Sequence, residues 1–158
     1  MKLRITAVIL IIGNSLFAGV WTQLQDLPSN INRYAPQGFA IDGKGYTGLG
    51  YSGSIPYYDW WQYDTASAAW TQKSDFPGVG GIHYAGSFVV NGNGYLAYGI
   101  DSTGQYLNTV WSYDPVLNSW MPKNNAPGVP RIGPSAFVIN SIAYVACGRS
   151  AAQYLTEC

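Results

Sequence analysis

The side chains in this 158-residue chain best equipped for chemistry are Arg33, Tyr34, Tyr51, Tyr57, His83, Tyr84, Asp101, Tyr106, Arg131 and Arg149. They are residue types that bind more readily than they react. Tyr and Arg recur at interaction hot spots, and exposed rings also stack on sugars. The plainer reading is that the rings prop loops together while the arginines sit solvated on the rim. His83 is the only histidine, and with no second His and no Cys close in sequence it falls short of a metal-ligand set. Asp101-Ser102-Thr103-Gly104 has the look of a calcium loop but brings one acid where several are needed. Paired carboxylates for acid–base work are missing too: Glu157 is the single glutamate, and Asp59, Asp64 and Asp114 fall at strand and turn positions. No cofactor or metal is expected. Gly43-Lys44-Gly45-Tyr46-Thr47-Gly48 spells a dinucleotide-binding string, but no helix follows it, so the nucleotide reading is set aside.

The elements that position these residues follow from a repeat. Trp21, Trp70 and Trp120 recur every 49 to 50 residues, as do Phe39, Phe88 and Phe137; Tyr46, Tyr95 and Tyr144; and Gly50, Gly99 and Gly148. A unit of roughly 50 residues made of short strands is the length of a propeller blade, which cannot bury its apolar faces alone.

In the second repeat, Ser87–Val90 and Gly94–Gly99 flank Asn91-Gly92, a tight hairpin turn, and Asp42-Gly43 serves the same place in the first. Asn108–Asp114 reads as a third strand and Trp120-Met121-Pro122 opens a fourth, with Asp59–Asp64 and Trp70–Lys73 as their counterparts. Each repeat is thus expected to form a four-stranded antiparallel meander, and no window after the N-terminus shows a helical apolar period. The short turns share one end of each blade. The longer second-to-third-strand loops and the inter-blade segments share the other, and they carry all ten residues named above. Binding usually rides on such loops.

Met1–Ala18 carries Lys2 and Arg4 and then an apolar run from Ile5 to Phe17, followed by small residues at Ala18 and Gly19. This is the pattern of a secretory signal peptide cleaved near Ala18, and the run of about 13 residues is too short for a membrane-spanning helix. An exported protein in the periplasm, on the cell surface or outside the cell is expected, with no transmembrane segment. Eight basic and eight acidic residues give zero formal net charge, without the basic patch that nucleic acid requires. Aromatic residues reach 15% against 10% charged, which suits sheets packed face to face on large rings. Export would let Cys147 and Cys158 oxidise. A cross-strand bridge between them stays open; the favoured alternative is a buried free thiol at Cys147, in the slot that Leu49 and Tyr98 fill in the earlier repeats.

Gly45-Tyr46-Thr47-Gly48-Leu49-Gly50 and Gly94-Tyr95-Leu96-Ala97-Tyr98-Gly99 resemble the second strand of a kelch repeat. Tyr106–Pro115 with Asn118-Ser119-Trp120 resembles its third strand, Tyr-Asp-Pro turn and closing Trp, and Trp70–Gly78 is similar to bacterial secreted kelch proteins often labelled galactose-oxidase-like. The resemblance covers nearly all of the chain after the signal peptide. Its departures are the missing glycines of Asn140-Ser141-Ile142-Ala143 and Thr109 where Asp59 shows the usual acid. It implies an all-β, kelch-type β-propeller over residues 20–158, with blade 1 at about 38–73, blade 2 at about 86–122 and an incomplete blade 3 at about 135–158. About two and a third blades are short of a closed ring, and Tyr154–Cys158 aligns with the start of a third strand. The expectation is therefore an N-terminal piece of a larger propeller, with further blades in the same chain or from another copy. The copper site of galactose oxidase needs Tyr, His and Cys ligands that these residues do not supply. The reading that results is a non-catalytic module binding protein or carbohydrate through its loops. The alternative is a carbohydrate-active kelch enzyme, of sialic-acid mutarotase or sugar oxidase type, whose catalytic residues lie in further blades.

Overall fold

The computed structural model describes residues 22–28 and 32–157. The signal peptide expected over 1–18, the repeat marker Trp21 and the thiol of Cys158 lie outside the described residues. The chain divides into a first unit over residues 1–30 and a second over 31–158, and the described stretch of the first holds no strand.

The described residues of the second unit form ten strands of five residues each, in three antiparallel sheets. The first sheet runs in the order β1 (Gln37–Ile41), β2 (Lys44–Gly48), β3 (Trp60–Asp64), β4 (Ala69–Lys73). The second is β5 (Gly86–Val90), β6 (Asn93–Ala97), β7 (Val110–Asp114), β8 (Ser119–Lys123). The third pairs β9 (Ser135–Ile139) with β10 (Ile142–Ala146). The leading strands β1, β5 and β9 lie side by side, so the sheets stand as successive blades. Among the described residues there is no helix, and so none long and apolar enough to cross a membrane.

Local chemistry explains the hairpins. Asp42-Gly43 and Asn91-Gly92 turn with both residues at positive φ (49° and 73°; 49° and 76°), the geometry whose twist matches the flanking strands. Asn140-Ser141 makes the same turn at 49° and 60°, so Ser141 carries a Cβ where the earlier repeats have glycine. In all three hairpins the repeat's Phe faces its Tyr across the ladder: Phe39 with Tyr46, Phe88 with Tyr95, Phe137 with Tyr144.

Two expectations are corrected. The second strands stop at Gly48, Ala97 and Ala146, two residues short of the glycine marker, because Leu49-Gly50, Tyr98-Gly99 and Cys147-Gly148 all switch to positive φ. A Cβ at Gly50, Gly99 or Gly148 would sit 2.7 to 2.9 Å from the carbonyl oxygen of Tyr34, His83 or Ile132, so this marker records a close backbone approach. The stretch from Tyr154 to Glu157 follows the course of Tyr106–Thr109 ahead of β7: Tyr154 bridges Arg149 as Tyr106 bridges Ile100, and the Cys147 N–H donates to the Glu157 carbonyl at 2.9 Å as the Tyr98 N–H does to that of Thr109 at 3.0 Å. Cys147 occupies the same left-handed slot as Leu49 and Tyr98 (φ 61°, 58° and 64°), but it is exposed and free, not buried. Tyr98 is covered by the segment leading into the third sheet, its hydroxyl donating to the Pro127 carbonyl at 2.6 Å, and no described segment plays that part for Cys147.

The core lies between the first two sheets. Phe39, Tyr46 and Trp60 of the first meet Tyr113 and Trp120 of the second at ring-centroid distances of 5.2 to 6.4 Å. Trp60 and Tyr113 are wholly buried. Gly94 makes room for this: a Cβ there would run into the Phe39 ring.

Candidate functional site

Just beyond the second strand, each repeat adds a short ladder of single bridges: Tyr34–Tyr51–Pro56, His83–Ile100–Tyr106, and Ile132–Arg149–Tyr154. These ladders hold the loop ends in register and bring four of the ten expected residues together. His83 stacks on Tyr51 with centroids 4.9 Å apart and planes 8° apart. Tyr34 meets Tyr51 edge-on at 5.8 Å, His83 edge-on at 6.1 Å, and the tilted Tyr84 ring at 6.0 Å. The cluster joins three segments: the lead-in to β1, the β2–β3 loop, and the linker between the first two sheets.

Its inner and outer members differ in character. His83 is buried, its Nδ1 has no hydrogen-bond partner, and burial pushes the imidazole below its ordinary pKa despite the opposing pull of Asp101. The imidazole is therefore neutral at physiological pH. Tyr34 and Tyr84 stay open, at 41% and 43% of full exposure. The Tyr34 hydroxyl is shifted upward, by loss of solvent first and then by Tyr84 and Tyr51, so it remains a neutral donor and acceptor. The result is an uncharged aromatic surface that can stack on a ring and hydrogen-bond at its margin.

Arg33 and Arg131 do a different job. Arg33 makes a two-pronged ion pair with Asp59 (both contacts 2.7 Å), donates to the Leu49 carbonyl at 2.9 Å and lies 4.8 Å above the Tyr57 ring. Arg131 repeats the plan with Glu157 at 3.2 Å, the Cys147 carbonyl at 3.2 Å and the Tyr98 ring at 4.9 Å. Both guanidinium groups are buried rather than solvated on a rim. Burial works to raise the Asp59 carboxyl, but hydrogen bonds from Arg33 and from Trp61 (2.7 Å), with the Arg33 charge, outweigh it and hold the pKa below the usual carboxylate range.

Asp101 closes its own loop, accepting from Thr103 N, Thr103 Oγ1 and Gln105 N at 2.6 to 3.0 Å. Tyr106 is half-buried in its ladder. Arg149 is exposed and helps line a cavity of about 460 Å³ with Tyr84, Ile132 and Tyr154. Among the described residues no three His, Cys, Asp or Glu side chains gather closely enough to hold a metal ion.

Sequence reasoning missed the partners of the arginines, although the spacing held the signal. Arg33 to Asp59 and Arg131 to Glu157 are both 26 residues apart, and the second repeat replaces both members at once, with Ile82 and Thr109. A charge pair lost together is a pair that touches.

Residues 82–127 match the Kelch motif. The solved structure of YjhT is 33% identical to this chain and aligns with a TM-score of 0.66, over 79% of this chain and 36% of that one. The chain thus spans little more than a third of the length of YjhT. No curated protein matches it. The 49-residue register, the repeated four-stranded sheets and these two likenesses make the chain a kelch-repeat protein of the β-propeller kind.

Proposed function

We propose that this chain is an exported, non-catalytic kelch module that binds a protein or glycan ligand on its loop face, with the Tyr34–Tyr51–His83–Tyr84 cluster as the contact surface. The observation that carries the reading is the convergence of four rings from three segments, two of them open to solvent and seated on a buried, neutral imidazole. Stacked aromatics without charge suit a ligand with an apolar ring face, whether a pyranose or the side chains of a peptide. The N-terminal pattern of Lys2 and Arg4, the apolar run to Phe17 and the small residues at Ala18-Gly19 supports export.

The test is to screen the purified protein and a Tyr34→Ala/Tyr84→Ala double variant against a glycan panel and a displayed-peptide library. A ligand of the cluster should be held by the parent and weakened roughly tenfold or more in the variant. A ligand held equally by both proteins, or a glycan that is chemically converted, would overturn the reading. For export, the protein recovered outside the cytoplasm should begin near Gly19; a chain retaining residues 1–18 there would count against cleavage.

A further inference from the structure

The first two repeats enclose an ionisable ring that their ladders do not require. His83 is 6% exposed, and two backbone hydrogen bonds to Ile100, at 3.0 and 3.1 Å, pin its main chain. The third repeat fills the same ladder place with Ile132, which cannot ionise, and the first with Tyr34. The next position follows suit. Tyr84 sits at φ 55°, where Ala35 (φ 49°) and Gly133 (φ 58°) serve in the other repeats, a conformation that a bulky side chain rarely adopts. An imidazole and a strained ring thus stand side by side where aliphatic or small residues suffice.

The groups around the imidazole make no provision for a charge on it. From the lead-in to β1 comes the Tyr34 edge at 6.1 Å, from the β2–β3 loop the stacked Tyr51 face at 4.9 Å, and from its own linker the Tyr84 ring at 5.5 Å. Asp101, from the loop between β6 and β7, is the charged group that acts on it. The Asp101 Oδ1 already accepts from Thr103 and Gln105, and among the described residues no hydrogen bond joins that carboxylate to His83. An imidazolium has two N–H groups to satisfy, and the one at Nδ1 would be buried without an acceptor. The Tyr51 face is a weaker host for that charge than water. Burial therefore outweighs the pull of Asp101 and holds the imidazole below its ordinary pKa.

We infer that His83 is a proton switch for the loop-face cluster: the neutral ring is the floor under Tyr34 and Tyr84, and the protonated ring rotates out of the Tyr51 stack to reach water, so that the surface comes apart. The main chain stays pinned to Ile100 and the sheets stay folded, which confines the change to the rings of the cluster. The assembled cluster is fully stable above the ordinary imidazole value of 6.5 and loses stability as pH falls through the lower value of the stacked ring. The consequence for a ligand rests on the contact surface proposed above: below that lower value, affinity should fall about tenfold per pH unit. The switch itself is readable without a ligand.

Because His83 is the only histidine, proton NMR of the untagged protein reports its ionisation directly. The imidazole should titrate below 6.5, and the near-UV circular dichroism of the tyrosines should change with the same midpoint while the far-UV signal of the sheets holds. His83→Phe keeps a flat ring against Tyr51 and removes the charge, so it should match the parent at neutral pH and show no step at that midpoint. Asp101→Asn keeps an acceptor for Thr103 and Gln105 but removes the carboxylate's pull, so it should move the midpoint further down; it decides the matter should His83→Phe fail to fold. Any of four results would overturn the inference: an imidazole that titrates at or above 6.5, a near-UV signal indifferent to its protonation, an acid step that survives in His83→Phe, or a midpoint that does not fall in Asp101→Asn. If the switch operates and no loop-face ligand is found, the binding reading fails alone. A ligand weakened by Tyr34→Ala/Tyr84→Ala yet held equally on both sides of the midpoint would sink the switch and leave the binding reading standing.

Discussion

The junction between the first and second sheets and the junction between the second and third start from the same hairpin and end differently. Both begin with a Phe–Tyr pair across the first hairpin and both are stitched by a glycine amide reaching the next linker, Gly50 to Ile82 at 3.5 Å and Gly99 to Arg131 at 2.8 Å. In the first junction Tyr113 and Trp120, from β7 and β8, fill the space, and the Trp120 Nε1–H donates to the Ser74 carbonyl at 3.1 Å. The third sheet has two strands among the described residues and supplies no such rings. Phe88 lies flat on Tyr95 at 4°, both of them half-buried. The hairpin of a repeat thus sets the spacing of neighbouring sheets, while the rings of its third and fourth strands carry the burial.

The arginine clips sharpen the contrast, and their removal has the largest expected effect. Asp59 is mostly buried against Arg33, whereas Glu157 is 53% exposed at its ion pair with Arg131. Asp59→Ala should cost about 3 kcal/mol, since it strands a buried guanidinium. Glu157→Ala should cost about 1 kcal/mol or less. Chemical denaturation of the two variants checks this, and equal losses would erase the distinction between the clips. The same pair sets a pH dependence. The folded-state pKa of Asp59 is depressed, so its stabilisation is present above the unfolded carboxylate value and is lost as pH falls through the lower folded value. Asp59→Asn should be less stable at neutral pH and should flatten the acid limb of the stability profile.

Glycine at the seat of the first junction ranks next. Gly94→Ala should destabilise by about 1–3 kcal/mol through collision with Phe39, whereas Gly45→Ala, where a Cβ would make only an ordinary contact with the Tyr63 Cβ at 3.9 Å among the described residues, should be near neutral. Thermal melts of the two variants measure the difference; similar melting temperatures would show that Phe39 moves aside freely. The smallest effect is at the third hairpin. Ser141→Gly should stabilise by about 1 kcal/mol, because it removes a Cβ from a residue at φ 60°. Denaturant midpoints of the parent and variant report it, and a lower midpoint in the variant would contradict the strain.

Much of the fold was legible in the chain. The period placed all three sheets, and Asp42-Gly43 and Asn91-Gly92 announced their hairpins because a two-residue turn depends only on the residues in it. The ends of the second strands were misjudged, since Leu49, Tyr98 and Cys147 take positive φ to let the following glycine meet a carbonyl from another segment. Of the ten candidate site residues, Tyr34, Tyr51, His83 and Tyr84 assemble into one cluster, while Arg33 and Arg131 turn inward to acids whose paired recurrence was visible but unused.

By itself the sequence determined the repeat, the strands and the turns, because each depends on partners a few residues away or on a spacing that recurs. Only the tertiary structure decided which of these residues are buried and what they meet. Phe39 packs over Gly94, Trp120 reaches Ser74 and His83 lies flat on Tyr51, and each contact brings together residues more than 30 positions apart. Those contacts exist only once the sheets stand side by side. A residue's type alone does not reveal whether its neighbour in space is solvent, a ring or a charge.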